Sequence, residues 1–251
     1  MLVALTWFAA GPAAALVGGQ PEGGWPAVGA LTRVDSFGLE RAFCTGTLIR
    51  PDVVLTAAHC LLGTDEVVVT VFGTRFFTGP NVDEPGGGDF RQAVEFLVHP
   101  DYQPGPHLND LGLIRLAEPM AGVLPALLAT QPLDDSWVGT FATHVGFGAS
   151  AGLTKEGVGL KRIGEIPIAW VNPLTWAAEA QGAGVCFGDS GGPAFLVEES
   201  AWRLAGVNSA VTGCATPGCD PCAEAAIVTR VDPALAWIDG SFAPAREAPR
   251  P

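Results

Sequence analysis

Apolar positions fall in short runs that Pro, Gly and Asp interrupt at close intervals. "FCTGTLIRPDVVLTA", residues 43 to 57, is an apolar run, a Pro-Asp break and a second run, which predicts strand, turn, strand. The same signal recurs at 66 to 73 ("EVVVTVFG"), 92 to 100 ("QAVEFLVHP") and 111 to 117 ("LGLIRLA"), a first group of strands ending near Pro119 to Pro125. A second group follows at 142 to 148, 160 to 171, 192 to 199, 202 to 211 and 225 to 231. Two strand sets of similar size, with no sequence repeat between them, predict two barrels. The helix with a clear start and stop is "DPALAWIDG", Asp232 to Gly240, with Asp as N-cap, Pro at the first helical position and Gly as the stop. Residues 241–251 are Pro- and Ala-rich and read as a flexible tail.

Composition narrows this picture. At 251 residues there is room for one large or two small domains, and 33 glycines with 21 prolines favour an all-β chain of short strands over a helical one. The formal charge of −13 disfavours nucleic acid and anionic lipid as partners, and solubility alone explains it. Residues 1–15 hold an apolar run, Leu2 to Ala10, and the small residues Ala13-Ala14-Ala15, the pattern of a cleaved signal peptide, although no basic stretch precedes it. The run is too short to span a bilayer, and no span is expected in the mature chain. Six cysteines in an exported chain point to disulfides, with fifteen pairings open. "CDPC", 219 to 222, has the spacing of a redox or half-metal site; without a second Cys-x-x-C or a nearby His, a loop disulfide is the better reading.

One stretch asks for more than a fold. "GVCFGDSGGPAF", 184 to 195, packs four glycines around a single Asp-Ser pair. Alone it reads equally well as a hairpin turn or as backbone amides aimed at a ligand. Two other stretches decide: "LTAAHC" with His59 and "HLNDLGLIRL" with Asp110. A lone His before Cys is usually structural, and Asn-Asp commonly opens a strand. Together with the serine they supply what an acyl-transfer nucleophile needs: an imidazole to take its proton and a carboxylate to fix the imidazole's tautomer.

With "LVGG" at 16 to 19, "VHPDY", "GFG" at 146 to 148 and "LAWI" at 235 to 238, these motifs stand in an order and at intervals that resemble the trypsin/chymotrypsin-type serine proteases. The resemblance implies a chymotrypsin-like fold of two six-stranded antiparallel barrels with a short C-terminal helix, 16–125 and 126–240, forming one peptidase unit. It implies Ser190 as nucleophile, His59 as general base and acid, and Asp110 as the orienting carboxylate, with the Gly188 and Ser190 N–H groups as oxyanion donors. Disulfides are implied between Cys44 and Cys60 and between Cys186 and Cys214, which leaves Cys219 and Cys222 to each other. A freed Leu16 ammonium is expected to pair with Asp189. Since folding raises the pKa of such an amine, the pair persists at low and neutral pH and fails as pH rises, so activity falls in alkali. Export alone, or self-cleavage after Ala15, is expected to free Leu16.

By the same alignment Gly184 is the floor of the specificity pocket and Val185, Ser209, Val211 and Ala226 form its walls. With no charge at the floor, and Val211 where the family has glycine, the expected preference is for small or medium aliphatic residues. His107, three residues before Asp110, is a candidate lining of the cleft. No metal or organic cofactor is expected, since the acidic loop at 81 to 89 matches the family's calcium loop poorly. The expected protein is a secreted or periplasmic monomeric endopeptidase acting on protein or peptide. The rival is a noncatalytic binding protein on the same fold, prompted by Ala210 in place of the family's aromatic residue.

Overall fold

The structure is a computed structural model that describes residues 16–63, 69–213, 216 and 218–242. Strands in chain order are β1 (Gln20–Pro21), β2 (Val28–Val34), β3 (Glu40–Arg50), β4 (Val53–Thr56), β5 (Arg75–Thr78), β6 (Asp89–Val98) and β7 (Gly112–Leu116). They continue as β8 (Leu127–Leu128), β9 (Phe141–Gly146), β10 (Arg162–Val171), β11 (Thr175–Glu179), β12 (Pro193–Glu198), β13 (Ala201–Val211) and β14 (Ala225–Arg230). Two short α-helices, α1 (His59–Leu62) and α2 (Leu235–Gly240), complete the regular structure apart from single 3-10 turns.

Strands β2-β3-β4-β7-β6-β5 close on themselves as an antiparallel barrel. A second six-stranded barrel, β9-β10-β11-β14-β13-β12, closes where β9 meets both β10 and β12; β1 adds to β10 and β8 runs parallel to β13. The all-β, two-barrel architecture with a short C-terminal helix is therefore as expected. Closure leaves few free strand edges, which suits a chain built of so many short strands.

Each barrel has its own apolar filling. Leu31, Leu48, Leu55, Phe76 and Leu113 fill the first; Ile166, Ile168, Trp176, Leu196 and Val228 fill the second. Val145, Phe147, Phe195 and Val207 come from the second barrel but pack with the first core, so the interface between barrels is itself apolar. Helix α2 returns to the first barrel: Ile238 is buried in its core, and Arg50 Nη2 donates to Ile238 O at 3.2 Å and Ser241 O at 2.9 Å. Among the described residues no helix is long and apolar enough to cross a membrane.

Some expectations are corrected. Of the strand expected at 66 to 73, Val71–Gly73 forms a 3-10 turn, because the Thr70 hydroxyl accepts from Gly73 N at 3.1 Å and curls the chain; 66 to 68 lie outside the described residues. The helix expected from Asp232 begins as a 3-10 turn, Asp232–Ala234, and becomes α-helical at Leu235, while the Asp232 carboxylate accepts from Arg230 rather than capping. The tail residues 243–251, like 1–15, lie outside the described residues.

Cys44 and Cys60 are bonded, with Cα atoms 6.2 Å apart. The second expected pairing is not formed: Cys186 is bonded to Cys222, Cα atoms 4.8 Å apart, rather than to Cys214, which itself lies outside the described residues. The pairing of Cys219 with Cys222 fails with it, and Cys219 is disulfide-bonded elsewhere. The cause is local. Asp220 accepts from Cys222 N at 2.9 Å and from Gly152 N at 3.0 Å, winding Pro221–Ala223 into a 3-10 turn that points Cys222 inward to full burial beside Cys186.

Candidate active site

His59 opens α1 immediately after β4, tied to β3 through the adjacent Cys60–Cys44 bridge. Asp110 lies just ahead of β7 and is fully buried. Its Oδ2 is 2.7 Å from His59 Nδ1 and accepts from Ser209 Oγ at 2.5 Å, while Oδ1 accepts from His59 N at 3.0 Å. Burial pushes the Asp110 carboxyl up, but the bonds and charge from His59, with the Ser209 hydroxyl, prevail and hold it below its ordinary value. It is an anion fixed against the Nδ1 edge of an imidazole, which selects the tautomer with hydrogen on Nδ1 and leaves Nε2 as the acceptor.

Ser190 stands in the loop between β11 and β12. Cys60 Sγ lies 3.7 Å from His59 Nε2 and 3.6 Å from Ser190 O, so imidazole and serine flank the same sulfur. No hydrogen bond joins Ser190 Oγ to His59 Nε2, as is common for such groups before substrate tightens them. Two glycines shape the loop. Gly188 has φ +96°, and Gly191, at φ +79°, would drive a Cβ to 2.0 Å from Thr56 Oγ1, so neither position admits a side chain without strain. Among the described residues the Gly188 and Ser190 N–H groups have no acceptor, whereas Asp189, Gly191 and Gly192 all donate within the loop or to Asn208.

Asp189 is buried directly beneath. Its carboxylate accepts from Gly148 N at 2.8 Å and Cys186 N at 2.9 Å, with no ion pair to it among the described residues. Burial raises its pKa to about 7, against the lowering effect of those two amides and of Arg162. Leu16 follows Ala15 in this chain, so its nitrogen is an uncharged amide, and the pair expected of a freed Leu16 belongs to the cleaved form. The residue nonetheless points inward: its side chain is fully buried in the second core, and Val17 O accepts from Gly184 N at 2.9 Å.

A cavity of about 240 Å³ opens beside Ser190, lined by Val185, Cys186, Phe187, Ser209, Ala210 and Val211. Gly184 and Ala226 are not part of its lining. Gly184 is bridged to Val17, and a Cβ there would meet Cys222 O at 2.1 Å; Ala226 is enclosed between Ala178 and Val211 within the sheet. Cys186, which is bonded to Cys222, lines the cavity. Among the described residues no charged side chain lines the cavity.

One contributor carried no signal in the sequence, and a second was legible only as part of the "VHPDY" motif. Thr45 Oγ1 donates to Gly188 O at 2.8 Å and accepts from Phe147 N at 3.1 Å, while Thr45 N donates to Ser190 O at 2.8 Å. Tyr102, whose hydroxyl is pushed up to about 12 by burial and the Asp110 charge, shares the neighbourhood of that carboxylate. A threonine in "FCTGTL" looks like any strand residue, and nothing local marks partners that lie so far along the chain.

The family model described as Trypsin matches residues 17–238. Brachyurin from Leptuca pugilator is 33% identical over 183 residues, covering 67% of this chain and 75% of that protein. Trypsin from Saccharopolyspora erythraea is 29% identical over 191 residues, covering 70% of this chain and 78% of that protein. Serine protease 56 from Mus musculus is 30% identical over 247 residues, covering 89% of this chain and 38% of that protein.

Proposed function

Because the chain belongs to the trypsin family of serine endopeptidases, we propose that it cleaves peptide bonds through an acyl-enzyme formed on Ser190. Ser190 Oγ attacks the scissile carbonyl as His59 Nε2 takes its proton. Asp110 holds the imidazole by Nδ1 and stabilises its charged form. The oxygen of the tetrahedral intermediate rests on the Gly188 and Ser190 N–H groups, where loss of one donor typically costs about 10²–10³ in rate. His59 then gives its proton to the leaving amine, and water repeats the sequence to release the acid. The observation that carries this reading is the 2.7 Å contact between His59 Nδ1 and a buried Asp110 carboxylate, beside a cavity that Ser190 faces.

The preferred residue on the acyl side is small or medium and aliphatic. Support comes from the lining: Val185, Ala210 and Val211 offer apolar contact, and a Lys or Arg entering would be desolvated without a partner. Secretion fits the disulfides and the apolar start of the chain. A fluorophosphonate probe tests the mechanism: labelling at Ser190 is expected, with none in Ser190→Ala, and purified Ser190→Ala that still hydrolyses peptides at the wild-type rate rejects it. A peptide-library cleavage profile dominated by Arg, Lys or Phe rejects the specificity, whereas Val211→Gly should broaden acceptance toward aromatic residues.

A further inference from the structure

His107 has no part in the reaction proposed above, yet its ring is held against the buried carboxylate. Its loop is closed by Gln103 N donating to Leu108 O at 2.9 Å and by Asn109 Nδ2 donating to Asp101 O at 3.1 Å. His107 and Asn109 both stand at positive φ, 54° and 51°, a conformation that costs energy for residues other than glycine. Outliers of this kind gather at ligand clamps and switches. Here the strain aims a donor atom at a charge. His107 Nδ1 is buried, has no hydrogen-bond partner, and lies 3.7 Å from Asp110 Oδ2, the oxygen that His59 Nδ1 approaches at 2.7 Å. The two imidazoles meet edge to face with centroids 6.0 Å apart.

We infer that His59, His107 and Asp110 form an inhibitory site for a divalent transition-metal ion, zinc above all. One ligand atom from each lies within 4.8 Å of the others. Two imidazoles and one carboxylate suit zinc and not calcium or magnesium, which take oxygen ligands. Zinc bonds of about 2.0–2.2 Å in tetrahedral geometry separate ligand atoms by roughly 3.4 Å, so the shorter observed distance opens a little and the longer one closes. The side chains of His59 and His107 are partly exposed, 23% and 39%, whereas Asp110 is fully buried, so the ion would enter from the imidazole side. The formal charge of −13 favours cation encounter. The Cys44 and Cys60 sulfurs near His59 are bonded to each other and supply no thiolate.

This site rests on the roles proposed for His59 and Asp110 and regulates them. Zinc takes the place of the proton on His59 Nδ1, and that proton moves through solvent to Nε2. A ring carrying hydrogen on Nε2 cannot accept the Ser190 proton, so the ion and the reaction exclude each other.

Zinc chloride titrated into the purified enzyme, with hydrolysis of a peptide ester as the readout, should inhibit reversibly, with recovery in EDTA and no effect of equal calcium chloride. His107→Asn removes the imidazole but keeps a residue that tolerates left-handed backbone. Measured against its own metal-free rate, it should raise the half-inhibiting zinc concentration by about tenfold or more. Binding is read separately by calorimetry on Ser190→Ala protein, which should take up one zinc per chain and lose that binding when His107→Asn is added. Equal zinc sensitivity of wild type and His107→Asn overturns the site, as does absence of zinc binding by Ser190→Ala. Zinc binding that depends on His107 in a protein inactive without metal would uphold the site and reject the catalytic reading.

Discussion

Thr45 belongs to the first barrel, but its polar groups reach the loop of the second that carries Ser190. Its hydroxyl holds the Gly188 carbonyl, its amide holds the Ser190 carbonyl, and its own carbonyl accepts from Thr56 Oγ1 at 2.8 Å. The peptide on either side of Asp189 is thus clamped, and with it the direction of the Gly188 and Ser190 N–H groups. Thr45→Val keeps the shape and removes the hydroxyl, leaving Gly188 O and Phe147 N unpaired. Since a displacement on the order of 1 Å can cost about 10²-fold, kcat should fall by roughly one to two orders of magnitude. KM should change little, because residue 45 is not itself part of the cavity lining, and Thr45→Ser should recover most of the rate. Steady-state kinetics of the two variants decide it: a change confined to KM, or failure of serine to recover kcat, removes Thr45 from the positioning of the oxyanion donors. The sequence could not have singled it out. His59, Asp110 and Ser190 sit in local motifs whose residue types state a chemistry, whereas the Thr45 hydroxyl finds its partner 143 positions away.

Among the elements, strands dense in β-branched and large apolar residues were legible, and those built of small ones were not. β4 and β7 follow from "VVLT" and "GLIRL", but β11, "TWAAE", offers only one large apolar residue, Trp176, and reads as loop until the barrel buries it. β5, "RFFT", was missed despite its two phenylalanines, and β2 was missed too; β2 contains a glycine whose Cβ would meet Phe77 O at 2.3 Å, so closeness to β5 required the residue that obscured the strand. His144 on β9 reaches across β12 to β13, its Nδ1 2.8 Å from Asn208 Oδ1, and Asn208 Nδ2 donates to Asp189 O at 3.3 Å. Its Nε2 is buried with no partner, and burial drives its pKa down to about 4 despite the Asn208 bond. The unfolded chain therefore binds a proton near 6.5 that the folded chain refuses, so His144 contributes stability above about 6.5 that is lost as pH falls toward 4. Urea unfolding as a function of pH should show stability declining across that window, with the decline shallower in His144→Gln. An unchanged slope would place the acid sensitivity elsewhere.

For the molecule as a whole, the decisive contact is between its beginning and its second barrel. Leu16 packs beside Gly164 on β10, and Arg162, two residues back on that strand, pairs with Gly146, against which the Asp189 carboxylate lies. Leu16 and the aspartate thus flank the same strand pair, β9 and β10. While Leu16 N remains an amide, Asp189 is buried with only two N–H donors, and its pKa near 7 follows from that burial. Between about 4 and 7 the folded chain keeps a proton that the unfolded chain has released, so an uncut chain should lose stability as pH rises through that range. A chain that begins at Leu16 has an ammonium in place of the amide, and its pairing with Asp189 should abolish that loss and substitute one at alkaline pH, where the amine deprotonates. Two Ser190→Ala proteins, one beginning at Leu16 and one carrying a single residue ahead of it, separate the cases in pH-dependent unfolding. Overlapping curves between pH 4 and 7 would deny Asp189 the role of N-terminal partner. N-terminal sequencing of secreted protein then identifies what makes the cut: Ser190→Ala beginning at Leu16 means that export machinery cleaves after Ala15, retention of upstream residues in Ser190→Ala alone means that the enzyme cleaves itself, and an active wild-type enzyme beginning at any other residue rejects both.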